Sequence, residues 1–153
     1  MFIRLRQLLR RGRGQEGTAA VEFALVLPIL LLLVTGIMDF GHYWYIGHVV
    51  SDASREGARY GTRYTGVLPA AKSPNISTYV LVNSGYAARL PSTPVPTVTP
   101  TGAAMGAASL TSLAGLDLVV TVTATKTWWV LGSLVPTLGD SAVLTVSTTM
   151  TAE

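Results

Sequence analysis

The most extended pattern in the chain is an apolar run near its N-terminus. Between Thr18 and Met38 the only charged residue is Glu22. As a helix this stretch would be about 31 Å long, close to the hydrocarbon thickness of a bilayer, which is about 30 Å. Its residues are apolar on all sides, which is typical of a helix in lipid or in a helix bundle rather than of an amphipathic surface helix. The pattern therefore predicts a membrane-spanning helix.

Beyond this run, apolar residues recur at steps of three and four. They are Ile46, Val49, Val50, Ala53, Gly57 and Tyr60. This spacing predicts that the same helix continues to about Arg63 and carries one apolar stripe along its outer half. A stripe of that kind needs a second element to cover it.

The C-terminal third of the chain changes to a period of two. Residues 116–126 and 142–150 alternate apolar and polar positions and are rich in β-branched side chains, so both are predicted to be strands. Two or three antiparallel strands do not bury a core alone. We therefore expect an α+β fold, in which a long N-terminal helix, first transmembrane and then outside the membrane, packs on a small antiparallel β-sheet.

The segment between the long helix and the strands has a weaker pattern. Residues 74–90 are roughly periodic and predict a second helix, which Pro91 would end. Residues 91–115 are rich in proline, threonine, glycine, alanine and serine, which predicts an extended, mobile connection.

The distribution of charge predicts the orientation in the membrane. Five arginines precede the apolar run, against one acid, Glu16. Because positive charge favours the cytoplasmic side, we expect the N-terminus inside and the residues after about 45 outside. Residues 18–153 contain six basic and seven acidic residues, so the sequence pI of about 9.5 is due mostly to the arginines of residues 1–17. The basic pI therefore gives no reason to expect a nucleic-acid partner.

Candidate chemistry is sparse. Asp39, His42 and His48 could be considered metal ligands, but the spacing of the two histidines does not place them on one helix face, so we predict no metal site and no cofactor. Asp39 is interpreted instead as the outer end of the lipid-embedded segment. There is no nucleophile elbow, phosphate loop, HExxH motif or paired-carboxylate arrangement, so no catalytic residue is predicted and the chain is not expected to be an enzyme.

Two further motifs suggest packing. Gly57 and Gly61 form a small-residue step outside the predicted span, which favours close packing against the protein's own sheet. Trp128 and Trp129 are compatible with core filling at an interface edge or with an exposed partner surface.

The N-terminal half resembles a known family. The residues that carry the resemblance are Gly17-Thr18-Ala19-Ala20-Val21-Glu22-Phe23-Ala24-Leu25, Pro28, Asp39-Phe40-Gly41 and Arg55-Glu56-Gly57-Ala58-Arg59-Tyr60. They are similar to those of TadE-like proteins, minor pseudopilins of the tight-adherence (Tad) pilus machinery. The resemblance is good over about residues 17–60 and looser over 116–153.

The resemblance implies a processed membrane protein of the bacterial inner membrane. A prepilin peptidase would cut after Gly17 and leave Thr18 as the new N-terminus. Glu22, the fifth mature residue, and its neighbour Phe23 would serve recognition and assembly. The implied organisation is a basic leader over 1–17, a single transmembrane helix over 18–45, and a periplasmic α+β domain over 46–153 that includes the connection 91–115.

The implied function is that of a minor pilin-like subunit that helps to assemble or anchor a Tad-type adhesion pilus. Its partners would be the prepilin peptidase, other pilin-like subunits, the pilus assembly machinery and the lipid bilayer. Two alternatives stay open: a general secretion pseudopilin, and an uncleaved single-pass signal-anchored scaffold or binding protein in the periplasm. A secretory signal cleaved after the apolar run is less favoured, because Val34-Thr35-Gly36 is a poor cleavage site.

Overall fold

The computed structural model describes residues 3–63, 66–91 and 94–152, with side chains from residue 17 onward. Its longest element is α1, an α-helix over Ile3–Thr62 that contains Pro28. From Gly17 onward it is the one helix, in the described part of the chain, that is long and apolar enough to cross a membrane. The predicted continuation of the helix to about residue 63 is confirmed. The side chains of the five leader arginines lie outside the described residues.

Three antiparallel strands form one sheet. They are β1 (Thr97–Thr101), β2 (Asp117–Thr127) and β3 (Ser141–Thr151), and β2 lies in the centre. The two predicted strands correspond to β2 and β3 and are confirmed. Together with α1 they confirm the predicted α+β fold class.

The core lies between the outer half of α1 and one face of the sheet. Alternate residues of β2 turn inward and are buried: Leu118, Val120, Val122 and Ala124. The predicted stripe of α1 faces them, and its residues Ile46, Val50 and Ala53 are fully buried. The opposite face of the sheet carries cross-strand hydroxyl pairs, so it is the polar face of a sheet with one buried side.

Two glycines allow the helix to approach the sheet closely. A Cβ atom on Gly57 would lie 2.9 Å from Cγ1 of Val120 and 2.9 Å from Cγ2 of Val80. A Cβ atom on Gly61 would overlap Cδ2 of Leu118. The prediction that this glycine step packs on the protein's own sheet is therefore confirmed.

The middle segment differs from the prediction in two places. The expected helix over 74–90 is shorter: α2 (Ile76–Thr78) continues as a π-helical turn over Tyr79–Asn83. It ends because Gly85 adopts a left-handed conformation with φ of 72°.

The expected irregular connection over 91–115 contains β1 and two 3₁₀ turns. The five residues of β1 are extended, as predicted, but they pair with β2 as a strand, which was not predicted. Pro100 is tolerated there because β1 is an edge strand, where one N–H group faces away from the ladder.

Candidate functional site

The four residues of the predicted processing and assembly site all lie on α1. Gly17 and Thr18 occupy consecutive positions of the helix, and Glu22 follows Thr18 by four residues, one turn further on. The side chain of Glu22 is exposed, as is that of Phe23 at 62%. Their roles in processing and assembly stay predictions.

The helix around these residues presents an uncovered apolar surface. Every large apolar side chain from Val21 to Met38, apart from the half-buried Leu27, is exposed by at least 41%. The most apolar window of 18 residues contains no buried residue. An apolar surface of this extent indicates contact with a membrane or with other proteins.

A buried ion pair lies where this surface meets the sheet domain. Nζ of Lys126 is 2.9 Å from Oδ1 of Asp39, and the side chains are 2% and 0% exposed. Lys126 is the last inward-facing residue of β2. The interpretation of Asp39 as a marker of the outer end of the lipid segment is therefore incomplete, because the residue is an internal partner of the sheet.

Asp39 also holds the connection between β2 and β3. It accepts hydrogen bonds from the backbone N–H groups of Trp129 at 3.0 Å, Val130 at 2.9 Å and Leu131 at 3.1 Å. The last of these residues begins a short helix, α3 (Leu131–Leu134). Charge-assisted hydrogen bonds are stronger than neutral ones, so this carboxylate fixes the start of the connection to α1.

Aromatic rings surround the ammonium group. Nζ of Lys126 is 4.6 Å from the ring centroid of Trp129 and 5.5 Å from that of Trp128. On the helix side, His42 stacks on Trp129 at 5.0 Å, and Tyr43 stacks on Trp128 at 5.6 Å. Cation–π attraction therefore adds to the ion pair. Trp128 is half-buried and Trp129 is 64% exposed, so the tryptophan pair lies at the edge of the core.

The pairing of Asp39 with Lys126 was not predicted, although the sequence contains a signal for it. Asp39 precedes Ile46 by seven residues, which places it on the buried stripe of α1. Lys126 follows Ala124 by two residues, which places it on the inward face of β2. Extending both periods by one step would have predicted two opposite charges facing each other.

A second polar cluster closes the other end of α1. Nζ of Lys72 donates hydrogen bonds to the carbonyl oxygens of Tyr60 and Arg63, both at 2.7 Å. These groups belong to the last turn of the helix, where carbonyls lack helical partners. Burial lowers the pKa of the Lys72 ammonium group. This contact caps the helix and attaches the loop that follows it.

A stacked tyrosine pair continues this cluster. The rings of Tyr60 and Tyr79 are 3.8 Å apart and nearly parallel, and the hydroxyl of Tyr79 donates to Glu56 at 3.0 Å. Arg59 forms an ion pair with Glu56 at 2.7 Å. Hydrogen bonding by Arg59 holds the pKa of the Glu56 carboxyl below its usual value, against the effect of burial. Among the described residues, no group of three or more histidine or acidic side chains could hold a metal ion.

Comparison with known proteins identifies the N-terminal segment. Residues 17–59 match a family model described as TadE-like protein. The match includes Gly17, Glu22 and Asp39, and it confirms the family resemblance predicted from the sequence. Comparison with curated proteins and with solved structures found no match.

Proposed function

We propose, because residues 17–59 match the family model of TadE-like proteins, that this chain is a minor pilin-like subunit, processed by a prepilin peptidase, that acts in assembly or anchoring of a Tad-type adhesion pilus. The family associates it with the Tad pilus machinery. The observation that supports the finer role is the apolar half of α1, residues 18–38, whose large apolar side chains are mostly exposed and which carries a single carboxylate, Glu22. A subunit that assembles through its membrane helix requires both features.

The apolar half of α1 has two successive partners in this proposal. Before assembly it lies in the inner membrane, with the leader in the cytoplasm and the sheet domain in the periplasm. During assembly its exposed side chains exchange lipid for the apolar helices of neighbouring subunits. Lipid tails are as apolar as leucine, so the exchange needs a further interaction to make it specific.

Glu22 supplies this interaction in our proposal. Cleavage after Gly17 would give Thr18 a positive α-amino group. The Glu22 carboxylate is exposed on α1 and lies away from its own sheet domain, so it is accessible to the ammonium group of a neighbouring subunit. Opposite charges at low dielectric cost less free energy when paired than apart, and this makes the mature N-terminus and Glu22 a recognition pair.

Processing is tested by the mature N-terminus of the protein extracted from membranes. We expect a Thr18 start that depends on the prepilin peptidase. Gly17→Val should block cleavage, because a bulky side chain would occupy the position next to the scissile bond. Gly14→Val is the matched control within the same leader and should be processed normally. A native N-terminus that is intact in peptidase-positive cells would refute processing and favour the uncleaved anchored scaffold.

Assembly is tested by removing the carboxylate. Glu22→Ala should insert into the membrane and reach normal abundance, yet reduce piliation, adhesion and co-purification with other pilin-like subunits. Asp52→Ala removes an exposed carboxylate from the outer part of the same helix and serves as the control. Normal piliation in Glu22→Ala would contradict the assigned role. A protein that is cleaved at Gly17 but whose loss impairs protein secretion and leaves pili intact would instead be a general secretion pseudopilin.

A further inference from the structure

The connection between β2 and β3 is uncharged and apolar on its outside. Residues 127–139 contain no charged side chain. Four large apolar side chains of this segment are exposed by about a third to two thirds: Trp129, Leu134, Val135 and Leu138. A connection between strands normally carries polar residues, so this surface requires an apolar neighbour.

The connection lies at the level of the membrane-spanning part of α1. Cδ2 of Leu131 is 3.6 Å from the position that a Cβ atom on Gly36 would occupy. At 1.5 Å per residue, Gly36 is about 27 Å along the helix from Thr18 and about 21 Å from Glu22. With either residue at the inner boundary, Gly36 falls inside a hydrocarbon layer about 30 Å thick. The connection therefore reaches the depth of the outer leaflet.

Most of the backbone N–H groups of the connection have acceptors within the protein, which a lipid environment requires. Donors without partners are costly in lipid, so a segment that enters it must satisfy its own N–H groups. Trp128 donates to Asp140, and Trp129, Val130 and Leu131 donate to Asp39. Four more donors, at residues 134, 135, 138 and 139, bond carbonyl oxygens three or four residues earlier within the same segment. Eight backbone N–H groups of residues 128–139 thus have acceptors within the protein.

From these observations we propose that residues 128–139 insert into the outer leaflet of the bilayer and form a second membrane contact beside α1. The neighbour is lipid because the surface is continuous with the membrane span. An apolar groove of about 620 Å³ lies on α1, lined by Leu33, Ile37 and Trp44 among others, and Leu131 of the connection also lines it, so an acyl chain in this groove contacts both the span and the connection. The charges of Lys126 and Asp39 neutralise each other at this boundary.

The inference rests on the membrane placement of α1 in the proposed function, but it needs neither cleavage nor pilus assembly. The chain has no cysteine, so single cysteines can be introduced for spin labels. The full chain is reconstituted in vesicles of phosphatidylethanolamine and phosphatidylglycerol, labelled at Val135→Cys or Leu138→Cys. Collision rates are measured with oxygen, which concentrates in lipid, and with a water-soluble nickel complex.

Two further labels provide the references. Ile37→Cys, on a residue of α1 that is 65% exposed, reports the lipid environment. Val82→Cys, on a residue of α2's π-helical turn that is 70% exposed, reports water. We expect the ratio of oxygen to nickel collisions at residues 135 and 138 to be several-fold higher than at 82 and close to that at 37. All four residues are exposed, so the substitutions should not disturb the core, which circular dichroism checks.

Each other outcome overturns a distinct statement. Water-like ratios at 135 and 138 with a lipid-like ratio at 37 would refute the inserted connection and leave the membrane helix intact. Low collision rates with both reagents at 135 and 138 would refute the lipid neighbour in favour of a protein one. A water-like ratio at 37 would refute the membrane placement of α1 itself.

Discussion

Removing the two members of the buried ion pair should have unequal effects on stability. In Asp39→Ala, the Lys126 ammonium group stays buried beside two indole rings, and the N–H groups of residues 129–131 lose their acceptor. In Lys126→Met, a flexible apolar chain replaces the lysine stem, and Asp39 keeps its three backbone donors. The Asp39 carboxylate holds three backbone N–H groups as well as Lys126, so its loss should lower the free energy of unfolding more than the loss of the ammonium group.

The structure sets the expected magnitudes. Breaking a buried pair from one side costs about 3–5 kcal/mol, and the orphaned N–H groups place Asp39→Ala at the upper end, on the order of 5 kcal/mol. Lys126→Met also breaks the pair from one side, but the Asp39 carboxylate keeps its three backbone donors, so the cost should lie at the lower end, about 3 kcal/mol. The double variant has no buried unpaired charge, so its cost should be well below the sum of the two. The free energy of unfolding of a small domain is about 5–15 kcal/mol in total, so the Asp39→Ala variant should be close to unfolding.

The assay is urea unfolding of the full chain in detergent micelles, followed by far-ultraviolet circular dichroism of the sheet and by tryptophan fluorescence. Glu56→Ala and Arg59→Ala, at an ion pair whose arginine is exposed, are the controls and should change stability much less. The reasoning would be refuted if Lys126→Met cost as much as Asp39→Ala, or if the double variant showed simple additivity.

Two further predictions concern the helix–sheet interface and its pH dependence. Gly61→Ala should destabilise the domain by about 1–3 kcal/mol, because the new methyl group would overlap Leu118. The control is Gly47→Ala, whose methyl group would make only an ordinary contact at 3.5 Å and should be neutral or stabilising. Equal urea midpoints for the two variants would contradict the close approach of helix and sheet at Gly61. The Glu56 carboxyl has a lower pKa in the folded state, so its contribution to stability is complete above its unfolded pKa of about 4.5 and is lost as pH falls through the folded value. Glu56→Gln should therefore flatten the acid side of the stability profile measured by urea titration, and an unchanged acid side would refute this contribution.

Local periodicity predicted the elements in which the hydrophobic pattern repeats several times. The stripe of α1 repeats over several turns, and β2 and β3 alternate over about ten residues each, so these elements could be predicted from the sequence. β1 could not, because its five residues include a proline and its identity as a strand depends on pairing with β2 about twenty residues later. Edge strands are specified by their partner more than by their own residues.

The candidate site divides in the same way. Gly17, Thr18, Glu22 and Phe23 could be proposed from the sequence because they are close together in it and belong to one family pattern, and their roles stay predictions. Asp39 and Lys126 are separated by 87 residues, and their pairing depends on how the helix is seated on the sheet. The close approach at Gly57 and Gly61 sets that seating. A single charge on an apolar stripe has no evident partner until the opposite element is placed.

The unbroken course of α1 has a mechanical consequence. Asp39 follows Glu22 by seventeen positions of one helix, a distance of about 26 Å, and no loop interrupts this stretch. The sheet domain is attached to this helix by its core and by the Asp39–Lys126 pair, so in the proposed membrane placement the depth of Glu22 sets the position of the domain relative to the bilayer. Any force that draws the helix outward by the length of one turn must therefore move the sheet domain outward by the same distance, about 5.4 Å.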